Sequence, residues 1–111
     1  MIDEPTFRRV SDAALESLKQ SLIDAEEDGG FETEEKNGVL NVLFEDDSAK
    51  FVFTPQTPVR QIWISARSTS FKLEWSEEAG VFILPKTGEA LKPLTRRLLQ
   101  EHLENPSIQL L

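Results

Sequence analysis

The sequence predicts an α+β fold: a two-layer sandwich with an N-terminal and a C-terminal helix packed on one face of an antiparallel sheet. Apolar residues recur at steps of three and four near both ends of the chain, and they alternate with polar residues in between. The 111 residues suffice for one hydrophobic core. We therefore expect a single domain over residues 1–111.

The first helix is predicted over residues 4–27. Pro5 suits its first turn, and Gly29-Gly30 suits its end because glycine accepts the left-handed backbone of many helix stops. Its expected buried stripe consists of Phe7, Val10, Ala14, Leu18, Leu22 and Ala25.

Period-two segments follow this helix and predict strands. Asn37-Gly38 is a strong hairpin signal between the first two strands, and Asp46-Asp47-Ser48 is expected to form the next turn. Pro55 and Pro58 lack an amide donor, so we expect a break before the fourth strand. The predicted strands cover residues 31–35, 40–44, 49–53, 60–66, 71–75 and 81–84.

The same alternation predicts which side chains enter the core. In the second strand these are Leu40, Val42 and Phe44, and in the fifth they are Phe71, Leu73 and Trp75. A second helix is predicted over residues 88–104, ended by Asn105-Pro106. Its buried stripe should hold Leu91, Leu94, Leu98 and Leu99, and the apolar residues expected to fold back onto the domain are Ile108, Leu110 and Leu111.

Composition and charge exclude several classes of function. The absence of Cys excludes disulfides and thiolate sites, and no segment reaches membrane-spanning length, so we expect a soluble, intracellular protein without membrane contact. Residues 1–47 carry a net charge of −10 and residues 48–111 one of +2. This distribution disfavours nucleic acid and favours cations or basic proteins as partners, although a purely solvated acidic face fits it too.

Trp63 is the most informative single residue. If Ile62 and Ile64 face the core, Gln61, Trp63 and Ser65 must line the opposite face. A large aromatic ring among polar neighbours is more often a partner contact than an accident, and the alternative is a Trp half-buried beneath a loop.

Acidic residues cluster where the first helix meets the first strand. Carboxylates at three- and four-residue spacings share a helix face, and their oxygens suit iron and other hard cations. With no His or Cys among them, the expected site is shallow and weak. The candidate metal ligands are Glu16, Asp24, Glu26, Glu27, Asp28, Glu32 and Glu34.

No enzyme constellation is present in the sequence. The only His, His102, lies far along the chain from the acids, and the Ser and Thr residues have neither a base nor an oxyanion motif beside them. Gly29-Gly30 lacks the spacing and the Lys of a phosphate-binding loop. We therefore expect a protein without catalytic residues of its own.

Several stretches together resemble the frataxin family, in its bacterial form. They are the Asn-Val-x-Phe of residues 41–44, the strand of residues 50–53, the run Gln-Thr-Pro-x-Arg-Gln-Ile-Trp-Ile-Ser of residues 56–65, residues 71–75, and Gly88-Glu89 ahead of the second helix. The resemblance implies the sandwich predicted above. It also implies that the acidic residues form an iron-binding ridge, holding Fe²⁺ or Fe³⁺ weakly at the surface. Lys19, Gln20 and Ile23 depart from the family pattern, which often has acids there, and they lower the negative charge in the last turns of the first helix.

The resemblance further implies two protein partners, a cysteine desulfurase and the scaffold on which iron–sulfur clusters form. The scaffold would meet the open sheet face through Gln56, Arg60, Gln61, Trp63 and Lys72. Thr54 and Pro55 replace residues that often contribute contacts at this edge in the family.

The function so implied is an iron-binding regulator that modulates sulfur transfer from the desulfurase to the scaffold. The alternative is an iron chaperone or storage protein with weak ferroxidase activity that acts through self-association. We expect a monomer that metal can drive into oligomers. The location would be the cytoplasm in a bacterium or the mitochondrial matrix in a eukaryote.

Overall fold

The computed structural model describes residues 2–45 and 49–110, apart from the side chain of Asp28. The predicted turn of residues 46–48 and the predicted packing of Leu111 lie outside these residues. The first helix, α1, spans Glu4–Ala25 and is followed by a 3₁₀ turn, Glu26–Asp28. Asp3 caps α1 by accepting a 2.9 Å hydrogen bond from the Thr6 amide.

The described residues form a six-stranded antiparallel sheet in simple sequential order. Its strands are β1 (Phe31–Lys36), β2 (Val39–Phe44), β3 (Lys50–Gln56), β4 (Gln61–Ala66), β5 (Thr69–Ser76) and β6 (Val81–Ile83). A second 3₁₀ turn, Thr57–Val59, joins β3 to β4, and the helix α2 spans Leu91–Leu103.

Both helices cover the same face of this sheet. Phe7 of α1 packs edge-on against Phe82 of β6 at 5.9 Å, and His102 of α2 lies 4.1 Å from Phe44 of β2, between ring centroids. No element of the described residues covers the other side of the sheet, which we call the open face. The α+β sandwich predicted from the sequence is confirmed.

The core lies between the helices and the sheet, and most of its members are those that the two periodicities select. On α1, Val10 and Ala14 of the predicted stripe are only half-buried, whereas Leu15, outside that stripe, is buried. Alternate residues of the strands are buried, as are the inner faces of both helices and, after α2, Ile108. The apolar side chains that are at most 1% exposed are Phe7, Leu18, Leu22, Leu40, Val42, Phe51, Phe53, Ile62, Ile64, Ala66, Leu73, Phe82, Leu94, Leu99 and Ile108.

The predicted break before the fourth strand is confirmed, but it lies at the 3₁₀ turn Thr57–Val59, which contains Pro58, and not at Pro55. β3 runs through Pro55, which pairs with Ile62 of β4. The pairing of β3 with β2 ends at Phe53, so the edge of β3 beyond it faces no other strand of the described residues. The missing amide of Pro55 therefore removes no hydrogen bond from the ladder.

The ends of both helices also differ from the prediction. α1 gives way to a 3₁₀ turn at Glu26, whereas the helical pattern had suggested continuation to residue 27. α2 starts only at Leu91, because Gly88 adopts a left-handed backbone (φ 78°) and Ala90 bridges to Ile83 of β6. The segment before α2 thus pairs with the edge of the sheet and is not part of the helix.

Phe71 and Trp75 are only half-buried, although the alternation predicted both for the core. Both lie on the helix side of β5, and Trp75 packs against Phe82 at 5.2 Å between ring centroids. Beside Trp75 is a groove of about 510 Å³ whose walls include Ala13 and Gly80. Because these neighbours are small, the groove leaves one side of the indole uncovered.

In the described residues, neither helix carries an apolar stretch long enough to cross a bilayer.

Candidate functional site

The open sheet face carries the side chains of one strand phase. Ile62 and Ile64 are buried beneath β4, so Gln61, Trp63 and Ser65 project from the opposite side. Strand register continues the row across the sheet, with Thr54 beside Trp63 on β3 and Lys72 beside it on β5. The ring of Trp63 therefore occupies the centre of the open face.

Two neighbours hold the indole of Trp63. Its Nε1–H donates a 2.7 Å hydrogen bond to the side-chain oxygen of Gln61. The ammonium of Lys72 lies 4.8 Å from the ring centroid, within reach of a cation–π contact. Gln61 in turn donates to Glu74 at 3.4 Å. Trp63 is half-buried as a result, under neighbouring side chains that fix its edge and one ring face.

The remaining candidates for partner contact, Gln56 and Arg60, lie where β3 leads into β4. Gln56 ends β3, is half-buried, and lies directly opposite Gln61. Arg60 precedes β4 and is also half-buried. Its Nε donates to the Ile2 carbonyl at 3.2 Å, and its Nη1 donates to the Thr57 carbonyl. We call the group Gln56, Gln61, Trp63 and Lys72 the Trp63 surface, and Arg60 lies in the turn that leads into it.

The register of Trp63 and Lys72 follows from the turn between β4 and β5. Arg67 and Ser68 both have left-handed backbones, with φ of 51° and 65°, and form a two-residue hairpin loop. Counting back from that loop places Lys72 opposite Trp63. Sequence reasoning named Lys72 only as a candidate scaffold contact, although a hairpin loop at residues 67–68 would have predicted its contact with the ring.

The seven acids of the predicted metal site form the acidic surface, which spans the α1–β1 edge of the molecule. Glu16, Asp24 and Glu27 are exposed on α1 and the 3₁₀ turn. On β1, Glu32 and Glu34 are exposed and point to the open face, opposite Phe31. The side chain of Asp28 lies outside the described residues.

Neighbouring groups already bind some of these carboxylates. Glu26 accepts a 3.3 Å hydrogen bond from the Thr33 amide, which ties the 3₁₀ turn to the edge strand β1. Glu16 accepts from Gln20 at 3.2 Å. Lys19 forms a 3.3 Å ion pair with Glu35 on the helix side of β1, a contact that the sequence pattern did not reveal. This pair places a positive charge beside the acidic surface.

The acids do not converge on one point. Because Glu32 and Glu34 point away from the helices, the acidic surface wraps around the edge of the sheet. Among the described side chains, no three His, Cys, Asp or Glu groups come close enough together to hold a metal ion. Their carboxylate oxygens suit hard cations. Their wide spacing suits long-range electrostatic attraction better than a closed coordination shell.

The comparison with known proteins gives the family. The frataxin-like domain family matches residues 1–105. The chain belongs to this family. Among its curated relatives, the iron–sulfur cluster assembly protein CyaY of Pseudomonas entomophila is 34% identical over 100 residues, covering 90% of this chain and 88% of the relative. The protein of the same name from Azotobacter vinelandii is 33% identical over 100 residues, covering 85% and 90%.

A solved structure agrees at the level of the fold. Frataxin from Psychromonas ingrahamii superposes with a TM-score of 0.81 over 98% of this chain and 96% of that one. Sequence identity with it is only 12%, so this likeness concerns the backbone arrangement alone. The frataxin-like chain thus has the same backbone arrangement as this solved frataxin.

Proposed function

We propose that this protein is a regulator of iron–sulfur cluster assembly that modulates sulfur transfer from a cysteine desulfurase to the cluster scaffold. The relatives named for iron–sulfur cluster assembly support the process. The observation that carries the proposal is the Trp63 surface: an aromatic ring fixed at the centre of the open sheet face by Gln61 and Lys72. A preorganised aromatic side chain is a typical anchor at protein interfaces, because little entropy is lost when a partner covers it.

The acidic surface supplies the second contact in this proposal. Its exposed carboxylates would attract a basic patch on the desulfurase or hold Fe(II) beside it. Because these carboxylates do not converge, iron binding would be weak and would exchange rapidly with solvent. The Trp63 surface would meet the scaffold. The frataxin-like protein would then bridge two partners and contribute no reacting group.

The experiment is an anaerobic sulfide-production assay with desulfurase, scaffold and Fe(II). A regulator changes desulfurase turnover and saturates at about one copy per complex. In the alternative role of iron chaperone or store, the protein takes up many ions, oligomerises, and leaves turnover unchanged at that ratio. Parallel light scattering under the same Fe(II) concentrations separates the two roles.

A further inference from the structure

Arg60 occupies the turn that leads into the Trp63 surface. Its backbone is left-handed (φ 55°), a conformation that favours Gly or Asn over a long side chain. Its amide donates to the Thr57 carbonyl at 3.1 Å and closes the 3₁₀ turn Thr57–Val59. The left-handed backbone is unfavourable for arginine, so we expect contacts of its side chain to offset that cost.

The side chain provides that role through two carbonyl contacts. The Nε of Arg60 donates to the carbonyl of Ile2, which lies 58 positions away in the chain, and the Nη1 donates to Thr57. Ile2 packs against the hydrophobic core, and its carbonyl immediately precedes Asp3, the cap of α1. One guanidinium therefore joins the start of the chain to the turn between β3 and β4.

The two contacts of Arg60 with Ile2 and Thr57 form a clamp, and this clamp lies next to the hydrogen bond that orients Trp63. Gln61 follows Arg60 directly, and its side chain accepts the indole N–H. A shift of the turn would move the backbone of Gln61 and with it the acceptor oxygen. The guanidinium is half-buried and occupied by two carbonyls, which suits a support better than a rim charge awaiting a partner.

We propose that Arg60 is a positioning residue: through its clamp on Ile2 and Thr57 it holds Gln61, and thereby Trp63, in the orientation that a partner meets. The N-terminal segment becomes part of the support of the open face, although it lies on another element. The proposal rests on the proposed function only for the identity of that partner, the scaffold. The orientation of the indole is a property of the free protein.

The test measures solvent exchange of the Trp63 indole N–H by NMR, with its resonance assigned in a Trp75→Phe variant. Arg60→Gly favours the left-handed backbone but removes the clamp. Arg60→Lys keeps the charge but loses the fork that reaches two carbonyls. Both should speed indole exchange and weaken scaffold binding by roughly tenfold, the usual scale for one lost hydrogen bond.

Arg67→Gly is the matched control. Arg67 also has a left-handed backbone at one end of β4, but it is exposed and lies at the far end of the strand from Gln61. Its replacement should leave indole exchange and scaffold binding as in the parent.

Two results would overturn the proposal. Weaker binding of Arg60→Gly with unchanged indole exchange would make Arg60 a direct contact. Parent-like behaviour of Arg60→Lys in both measurements would show that positive charge alone suffices. If the parent itself does not bind the scaffold, the proposed function fails, and the exchange rates still decide the role of Arg60.

Discussion

The indole Nε1–H of Trp63 donates a 2.7 Å hydrogen bond to the side-chain oxygen of Gln61, two residues earlier on the same face of β4. This bond satisfies the one polar group of the indole without a partner protein. What the ring still offers is apolar area in a fixed orientation, since Lys72 lies over its face at 4.8 Å. In the proposed contact with the scaffold, recognition at this point would therefore depend on shape and stacking more than on a new hydrogen bond from the indole.

Replacement of Trp63 by Ala should weaken scaffold binding by about 2 kcal/mol or more, roughly 30-fold, as truncation of an aromatic hot spot does. Thermal stability should fall by less than the loss of a core aromatic would cause, because the half-buried ring lies on the open face and not in the core. Calorimetric titration with the scaffold and a thermal melt measure the two effects.

Trp75→Ala is the matched control, since Trp75 is the only other Trp and lies on the helix side of the sheet. It should lower the free energy of unfolding by a few kcal/mol, less than truncation of a fully buried aromatic, because Trp75 is only half-buried. Scaffold binding, measured well below its melting temperature, should stay near the parent value. If Trp63→Ala melts like Trp75→Ala and binds normally, Trp63 is a structural residue.

How far the sequence could predict this surface depends on the range of each contact. Strand alternation placed Ile62 and Ile64 in the core and Trp63 opposite them, because that rule concerns adjacent residues. The clamp between Arg60 and Ile2 joins residues at opposite ends of the first half of the chain, and no local pattern encodes it. Such contacts follow from tertiary packing alone.

The strand alternation predicted which side of the sheet each residue faces, but it did not predict how deeply the side chain is buried. Leu73 and Trp75 share a strand phase, yet Leu73 is fully buried whereas Trp75 borders a groove with Ala13 and Gly80. The size of the side chains that face Trp75 from other elements decides its exposure. Similarly, the acids appeared as one run in the sequence, and β1 distributes Glu32 and Glu34 to the side away from the helices.

Association with the desulfurase should slow steeply as salt rises. The net charge of −10 on residues 1–47 would accelerate encounter with a basic surface, and ions screen that field over a Debye length of about 8 Å at physiological ionic strength. Stopped-flow association rates between low and high salt give the dependence of the rate on salt.

The double variant Asp24→Asn with Glu27→Gln should weaken this salt dependence. The control, Glu77→Gln with Glu78→Gln, removes equal charge from the β5–β6 turn and should weaken it less. A rate that does not change with salt excludes steering by this surface.

The like charges of the acidic surface should lower stability when no cation is bound. Like charges raise the free energy of the folded state, and a cation that binds only that state stabilises it by about 1.4 kcal/mol at ten times its Kd. For a domain of this size that corresponds to a melting shift of several degrees. Replacing Asp24 and Glu27 together by Lys should mimic the ion, so that melting rises without metal and the Fe(II)-induced shift shrinks.

The control for this double variant is Glu77→Lys with Glu78→Lys, which changes the net charge equally at a distant turn. It should leave the Fe(II)-induced shift intact. Anaerobic melts with and without Fe(II) compare the three proteins. If the Asp24 and Glu27 variant melts below the parent and still responds fully to Fe(II), these two carboxylates are not a strained cation site.

The pair Glu89–Arg97 should make part of the stability pH-dependent. Arg97 donates to both oxygens of Glu89, at 2.7 Å and 2.9 Å, which holds the segment before α2 against the helix. This guanidinium, assisted by the hydroxyl of Thr87, lowers the pKa of Glu89 below its ordinary value of 4.5. A carboxyl with a lowered folded pKa stabilises the protein above its unfolded pKa, and that contribution disappears as pH falls through the folded value.

Glu89→Gln should therefore cost about 1 kcal/mol at pH 7, a modest value because the Arg97 side chain is 43% exposed and water screens the pair. The difference from the parent should persist down to about pH 5 and shrink below pH 4.5, as the parent's Glu89 takes up a proton. Urea unfolding at pH 7 and pH 3 measures it. Glu77→Gln, at an exposed turn, controls for the change in net charge and should show little difference at either pH. If the difference in unfolding free energy between the parent and Glu89→Gln is equally large at pH 3, the Glu89 side chain acts through its packing and not through its charge.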